Sequence, residues 1–374
     1  MSEKTLLKDK IFNEISVTRL ADLFYAQDSS FPRKKFIKNI LQKFPDLELK
    51  QRISCITDEL KKILPADFKK AQKKIVAMLP PVLDETQSDN DFGEFILSPL
   101  AEYIEHHGCS SEHIELSLQT LGELTMCFSV EFSIRKFLNE FPVETFLFLQ
   151  DCAQSTHYHK RRLASEGLRL NLPWAQKITT DYRKSKRVLD VLFYDKTRYV
   201  TRSVANHLND VSKIDPEFVL NTIQEWKLSG HQNEKEMSYI TGHALRTLVK
   251  QGNKKALQML GYKKPAQVDV SIKKISKNVS VGEFVDFTFE IISHRKQKLL
   301  ISYYLYFLNK KNELNPKIFQ IKKITMCDSE LQVFSKKHPL KTMTTKKLYP
   351  GKHAIQIIVN GLAVTDKVYF TLTK

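Results

Sequence analysis

Little in this sequence suits a disulfide framework, a bound metal or a membrane. Only five of its 374 residues are cysteine. Cys55, Cys109, Cys127, Cys152 and Cys327 are scattered, with no CxxC spacing and no clustered histidines. That argues against both a zinc site and paired disulfides, and leaves reduced thiols with a structural role. His157 and His159 stand two apart, on different faces of a helix, and make poor joint ligands. No apolar run approaches the roughly 20 residues that span a bilayer. There is no P-loop, no Gly-rich dinucleotide fingerprint and no HExxH, so no cofactor is expected. The opening stretch, MSEKTLLKDK, carries charges where a secretory leader needs its apolar core. The expectation is a cytoplasmic protein without a membrane partner.

What is abundant is positive charge. The formal net charge is +17, which points toward a polyanionic partner. Its distribution is uneven. Residues 1–158 hold 19 Lys and Arg against 24 Asp and Glu, a net of −5, whereas residues 159–209 hold 12 against 4, a net of +8. Residues 210–264 are at +3 and residues 265–374 at +11. A uniformly lysine-rich chain would spread its charge evenly. Basicity confined to particular stretches is how a docking surface for phosphates looks.

Up to about residue 262 the apolar residues recur three and four apart, as in Leu41 to Leu49 and Ile114 to Leu124. Prolines punctuate the pattern: Pro142 and Pro173 open helices, and Asp215-Pro216 reads as N-cap and first helical position. Short, closely joined helices and a weak internal repeat (141–170 against 215–249) predict an α-solenoid of HEAT-like repeats over residues 1–262. Beyond Pro265 the period changes to alternating β-branched and aromatic residues: 284–289, 301–307, 317–321, 354–359 and 368–372. Asn360-Gly361 is a hairpin signal. Residues 265–374 are therefore expected to form a small immunoglobulin-like β-sandwich, with a barrel as the alternative. The fold class is mainly α, followed by a small all-β domain.

Three pieces concentrate the chemistry: Phe128-Ser129-Val130-Glu131-Phe132-Ser133-Ile134-Arg135, then Arg161-Arg162-Leu163-Ala164-Ser165-Glu166-Gly167, then Leu172-Pro173-Trp174-Ala175. Further along stand Ser203-Val204-Ala205-Asn206-His207-Leu208-Asn209-Asp210 and His243-Ala244-Leu245-Arg246-Thr247-Leu248. In this order the motifs resemble the AlkC branch of the HEAT-like-repeat alkylbase DNA glycosylases, and within it the subgroup with a C-terminal immunoglobulin-like domain. The resemblance covers most of the chain. It departs where such proteins often carry a second arginine before Leu-Pro-Trp and this chain has Asn171.

The resemblance implies a monofunctional DNA repair glycosylase of base excision repair, acting on alkylated double-stranded DNA. A monomer suits a protein that must wrap a duplex, and a cytoplasmic protein associated with the nucleoid is expected. The resemblance implies N3-methyladenine as substrate, with N3-methylcytosine and N1-methyladenine as further possibilities, and recognition without full base flipping. It also implies catalytic roles for Glu131 and Glu166. The residue types suit that chemistry. A cationic alkylated base is already a good leaving group, so the enzyme has to stabilise positive charge on the deoxyribose and position a water, and carboxylates do both. Asp210 is a third candidate. Trp174, Arg161, Arg162, Arg169, Arg202, Asn206 and Arg246 are candidate DNA contacts. Each has a plainer reading beside it. Arg162 and Glu166 have the i, i+4 spacing of a surface ion pair, Glu131 could complement a helix dipole, and Trp174 could be core. The alternative function is a non-enzymatic helical-repeat protein that binds nucleic acid. A scaffold for protein partners would leave the central charge step unexplained.

Overall fold

The computed structural model describes residues 6–84, 92–341 and 347–374. Residues 1–5, half of the stretch read for a leader, lie outside them. The helices follow in two runs. The first holds α1 (Leu7–Ile11), α2 (Glu14–Gln27), α3 (Arg33–Leu41), α4 (Leu49–Ile63) and α5 (Phe68–Ala77). The second begins with α6 (Ser98–Gly108), α7 (Ile114–Leu124), α8 (Ile134–Glu140), α9 (Pro142–Ala153), α10 (Tyr158–Gly167) and α11 (Lys186–Leu192). It ends with α12 (Arg198–Val211), α13 (Pro216–Ser229), α14 (Glu234–Ala244), α15 (Arg246–Lys250) and α16 (Lys254–Met259). Among the described residues no helix is long and apolar enough to cross a membrane.

Local chemistry explains most boundaries. Asn13 and Ser16 close a reciprocal capping box at the start of α2. Pro142 and Pro216 stand first in α9 and α13, where a missing N–H leaves no donor unpaired. Two expected features are different. The apolar spacing from Leu41 to Leu49 is interrupted by a 3-10 turn at Phe44–Asp46, because Pro45 cannot continue α3. Pro173 opens no helix; residues 173–175 form a turn.

The chain divides into two compact units, one of Met1–Asp215 and Asn221–Ala244, the other of Pro216–Leu220 and Leu245–Lys374. In the first, α10 packs between α9 and α12, and α12 packs in turn on α14. The faces of α10 and α12 that meet are lined by small residues. Ser165 and Ala164, like Ser203 and Ala205, are almost fully buried, and the Ser203 hydroxyl lies 3.0 Å from that of Ser165. Stacked helix pairs of this kind are the HEAT-like architecture expected from the sequence.

In the second unit the strands are β1 (Val268–Ile275), β2 (Asn278–Ser280), β3 (Phe284–Ser293), β4 (Gln297–Leu308) and β5 (Leu314–Met326). Then follow β6 (Leu331–Pro339), β7 (Gly351–Val359), β8 (Leu362–Ala363) and β9 (Val368–Thr373). They form two sheets, ordered β1-β3-β6 and β2-β9-β7-β4-β5, with β8 added to β7. Burial alternates along β3, so Val285, Phe287, Phe289 and Ile291 face a core shared with Tyr303, Leu305, Ile355 and Ile357. This is the immunoglobulin-like sandwich rather than a barrel. Asn360-Gly361 makes a two-residue turn from β7 into the short β8, both residues with positive φ (47° and 76°), as a type I′ hairpin requires. A Cβ on Gly361 would meet the Gly252 Cα at 2.8 Å, so glycine is needed there for packing as well. The unit boundary falls at Leu245, before the change of period, and α15 and α16 belong with the strands.

Candidate active site

Glu131, Glu166 and Asp210 come from three separate stretches and lie in one buried line of alternating charge. Glu131 stands in the turn that precedes α8, Glu166 near the end of α10, and Asp210 near the end of α12. Arg162 reaches Glu131 with both terminal nitrogens at 3.4 Å and Glu166 at 3.8 Å. Arg169 then donates to Glu166 at 2.5 Å and to Asp210 at 3.0 Å. Lys213 closes the line on Asp210 at 3.0 Å. All three carboxylates and both arginines are buried. A charge withdrawn from water persists only when it is paired and hydrogen-bonded, and every member here is.

Two serines complete the pairing. The Ser129 hydroxyl accepts from Arg162 and donates to Glu131, and the Ser203 hydroxyl donates to Glu166. Burial works against ionisation of Glu166, but the Arg162 and Arg169 charges with the Ser203 hydrogen bond outweigh it and hold the carboxyl below its ordinary range. Burial equally opposes the Arg162 charge, and Glu131 with Glu166 reverses that effect. The guanidinium of Arg162 is flanked by two rings, Tyr199 at 4.6 Å and Phe92 at 5.4 Å from its carbon. Phe92 is brought there by Gly93, whose φ of +77° and contact with the Cys127 backbone leave no room for a Cβ. Beneath Ser165 lies His207, buried and pushed down to about 4 by desolvation. Its Nδ1 is 3.1 Å from the Ser165 carbonyl and therefore carries the proton.

The candidate DNA contacts fall into different settings. Trp174 is 66% exposed, so it is not core, and its φ is +65°. Arg202 is half-buried, 5.8 Å from the Tyr199 ring. Asn206 meets His243 at 2.8 Å, and His243 stacks on Tyr239. Arg246 begins α15 and belongs to the second compact unit. Arg161 has several partners within the protein. Its guanidinium is held by Asp195, Thr197 and the carbonyls of Ser155 and Thr156, which leaves it a structural role inside the protein. Arg162 and Arg169 likewise spend their donors on the carboxylates rather than on an outer surface. Several other cations of the basic stretch pair with local acids: Arg183 with Asp215, Lys186 with Asp190 and Glu225, and Arg198 with Glu236. Lys184 and Arg187 are exposed.

Sequence reasoning assigned no role to Ser129, Ser203, Lys213, Phe92 or Tyr199, or to Arg135, although three of these lay inside the quoted motifs. Arg135 is fully buried, donating to the carbonyls of Gly167, Arg169 and Gln176, and burial pushes its guanidinium down to about 10. Among the described residues no group of three or more His, Cys, Asp or Glu side chains is arranged to hold a metal ion.

The comparisons with known proteins agree with this architecture. Residues 269–374 match the model of the C-terminal immunoglobulin-like domain of the uncharacterised protein YhaZ. Over 366 residues the chain is 30% identical to YhaZ of Bacillus subtilis (strain 168), covering 96% of this chain and 98% of that one. The chain belongs to the YhaZ family. Its fold is also similar to that of the alkylpurine DNA glycosylase AlkC of Pseudomonas fluorescens, solved bound to DNA containing an abasic-site analogue. The TM-score is 0.85 over 99% of this chain and 100% of that chain, at 28% identity. This chain thus has the AlkC-type fold, in the subgroup that ends in an immunoglobulin-like domain.

Proposed function

We propose that this chain is a DNA glycosylase that hydrolyses the N-glycosidic bond of cationic N-alkylated bases, N3-methyladenine foremost, in double-stranded DNA. The observation that carries the reading is the ionised Glu166 beside Glu131, bridged by Arg162. A carboxyl held below its ordinary range is a poor general acid at neutral pH, so it suits a leaving group that needs no protonation. As the bond from C1′ to the base nitrogen breaks, its electron pair neutralises the base and positive charge appears on the sugar. A carboxylate about 4 Å away contributes up to ~4 kcal/mol at an effective dielectric near 20. Arg162 and Arg169 lower that figure, because they already screen the carboxylates, and in return keep Glu166 charged and the carboxylates aimed. Water then bonds to C1′ and gives its proton to a carboxylate. Trp174, the exposed ring beside this site's loops, is assigned to stacking against the lesion or its sugar. Arg202, Asn206 and Arg246 are assigned to the DNA backbone, and the protein is taken to act as a monomer.

The test is incubation of the purified chain with methylated duplex DNA and chromatography of the released bases. Release of N3-methyladenine well above the spontaneous rate is expected. Tight duplex binding without any release would instead select a non-enzymatic nucleic-acid-binding protein.

A further inference from the structure

Residues 170–181 lie between α10 and the 3-10 turn at Tyr182–Ser185 and contain neither helix nor strand. Such a segment would be expected to fluctuate, yet side chains from α4 and α8, together with Arg169, hold it along its length. At its entry Arg169, the same residue that grips Glu166 and Asp210, donates to the Asn171 carbonyl at 3.4 Å. Lys50 of α4 donates to the Trp174 carbonyl. Arg135 of α8 spans the loop's base, reaching the Arg169 carbonyl at 2.7 Å and the Gln176 carbonyl at 2.5 Å. One turn further along α8, Asn139 donates to the Lys177 carbonyl at 2.9 Å and accepts from the Thr179 N–H at 3.1 Å.

The residue at the centre of this harness is the one that needs it. Trp174 has φ +65°, a left-handed conformation unfavourable for a bulky side chain, and its ring is left in solvent. A strained residue persists when its surroundings over-determine it. Here the surroundings grip the backbone and leave most of the side chain exposed. We propose that the 170–181 loop is a preorganised mount that presents the Trp174 ring beside the carboxylate line, and that Arg135, Asn139 and Lys50 are its positioning residues. This rests on the stacking role assigned to Trp174 above. Arg135 and Asn139 sit one helical turn apart on the helix that directly follows Glu131, so the same short stretch sets both the carboxylate and the ring.

The chain has two tryptophans, and Trp226 is buried, so a change in local tryptophan motion reports on Trp174. The probe variant is the full chain carrying Lys50→Met with Asn139→Ala, which spares the buried Arg135. Without DNA the amplitude of nanosecond local motion in the tryptophan anisotropy decay should rise about twofold, and single-turnover excision at saturating enzyme should slow by roughly ten- to a hundredfold, since misplacement of order 1 Å has that effect. Duplex affinity should change less than about threefold, because Lys50 spends a donor on the Trp174 carbonyl and Asn139 is uncharged. In a Trp174→Ala background the two substitutions should slow excision no further. An unchanged anisotropy decay in the double variant would overturn the mount whatever the activity. Full activity of Trp174→Ala would end the stacking role, and the anisotropy result would still decide whether the loop is held.

Discussion

Glu131 and Glu166 meet on a single guanidinium, that of Arg162, at 3.4 and 3.8 Å. Both acids share that one buried guanidinium, so the three side chains form one unit. Removing Arg162 would leave two carboxylates facing each other in a buried site. Arg162→Met is expected to destabilise the fold by about 3–5 kcal/mol. Urea denaturation followed by circular dichroism checks this, and a change below about 1 kcal/mol would mean that water reaches the carboxylates freely.

Arg161, next in sequence, should behave differently. Its partner Asp195 is almost fully buried, and the pair is internal. Arg161→Ala should lower the melting temperature but leave the slope of log affinity against log salt unchanged for duplex DNA. Arg202→Ala should do the reverse and make that slope shallower by about 0.9, the value of one lost phosphate contact.

His207 makes stability depend on pH. Its ordinary pKa of 6.5 is lowered to about 4 in the fold, by desolvation first and by Arg169 next, against the opposing effect of the Ser165 carbonyl, Asp210 and Glu166. Between those values the unfolded chain binds a proton that the folded chain refuses, so stability falls as pH falls through the window. The loss from pH 7 to pH 5 should be about 2 kcal/mol from this residue. In His207→Gln that part of the slope should vanish, which equilibrium unfolding at the two pH values would reveal.

The edge strand β5 exposes Lys317, Lys322 and Lys323 within the domain that holds the largest share of positive charge. If these lysines meet phosphates, changing all three to Gln should make the salt slope shallower by up to about 2.7, while excision at saturating enzyme stays near that of the parent chain. Parallel salt plots would assign them to solubility alone.

The extent to which the sequence was legible follows from the range of each interaction. Helix and strand periods are local, and they revealed the helical repeats and the sandwich. The period change at Pro265 marked where strands begin, yet the compact unit begins at Leu245, because α15 and α16 pack with residues far along the chain. Arg161 and Arg162 look alike in sequence. On a helix they point about 100° apart, one to Asp195 and the other to Glu131, and no local pattern announces which. Ser129 and Ser203 are ordinary residues until folding brings their hydroxyls to the carboxylates. Pro173 misled for a related reason: proline permits a helix start, but Trp174 in the left-handed region ends it.

Ionised Glu166, with Glu131, is assigned to stabilise the sugar cation. The most direct measurement compares single-turnover release of N3-methyladenine by the parent chain and by Glu166→Gln, alongside affinity for undamaged duplex. Gln keeps the shape and loses the charge, so release should slow by roughly ten- to a thousandfold with little change in affinity. Release at the parent rate by a folded Glu166→Gln would contradict the account.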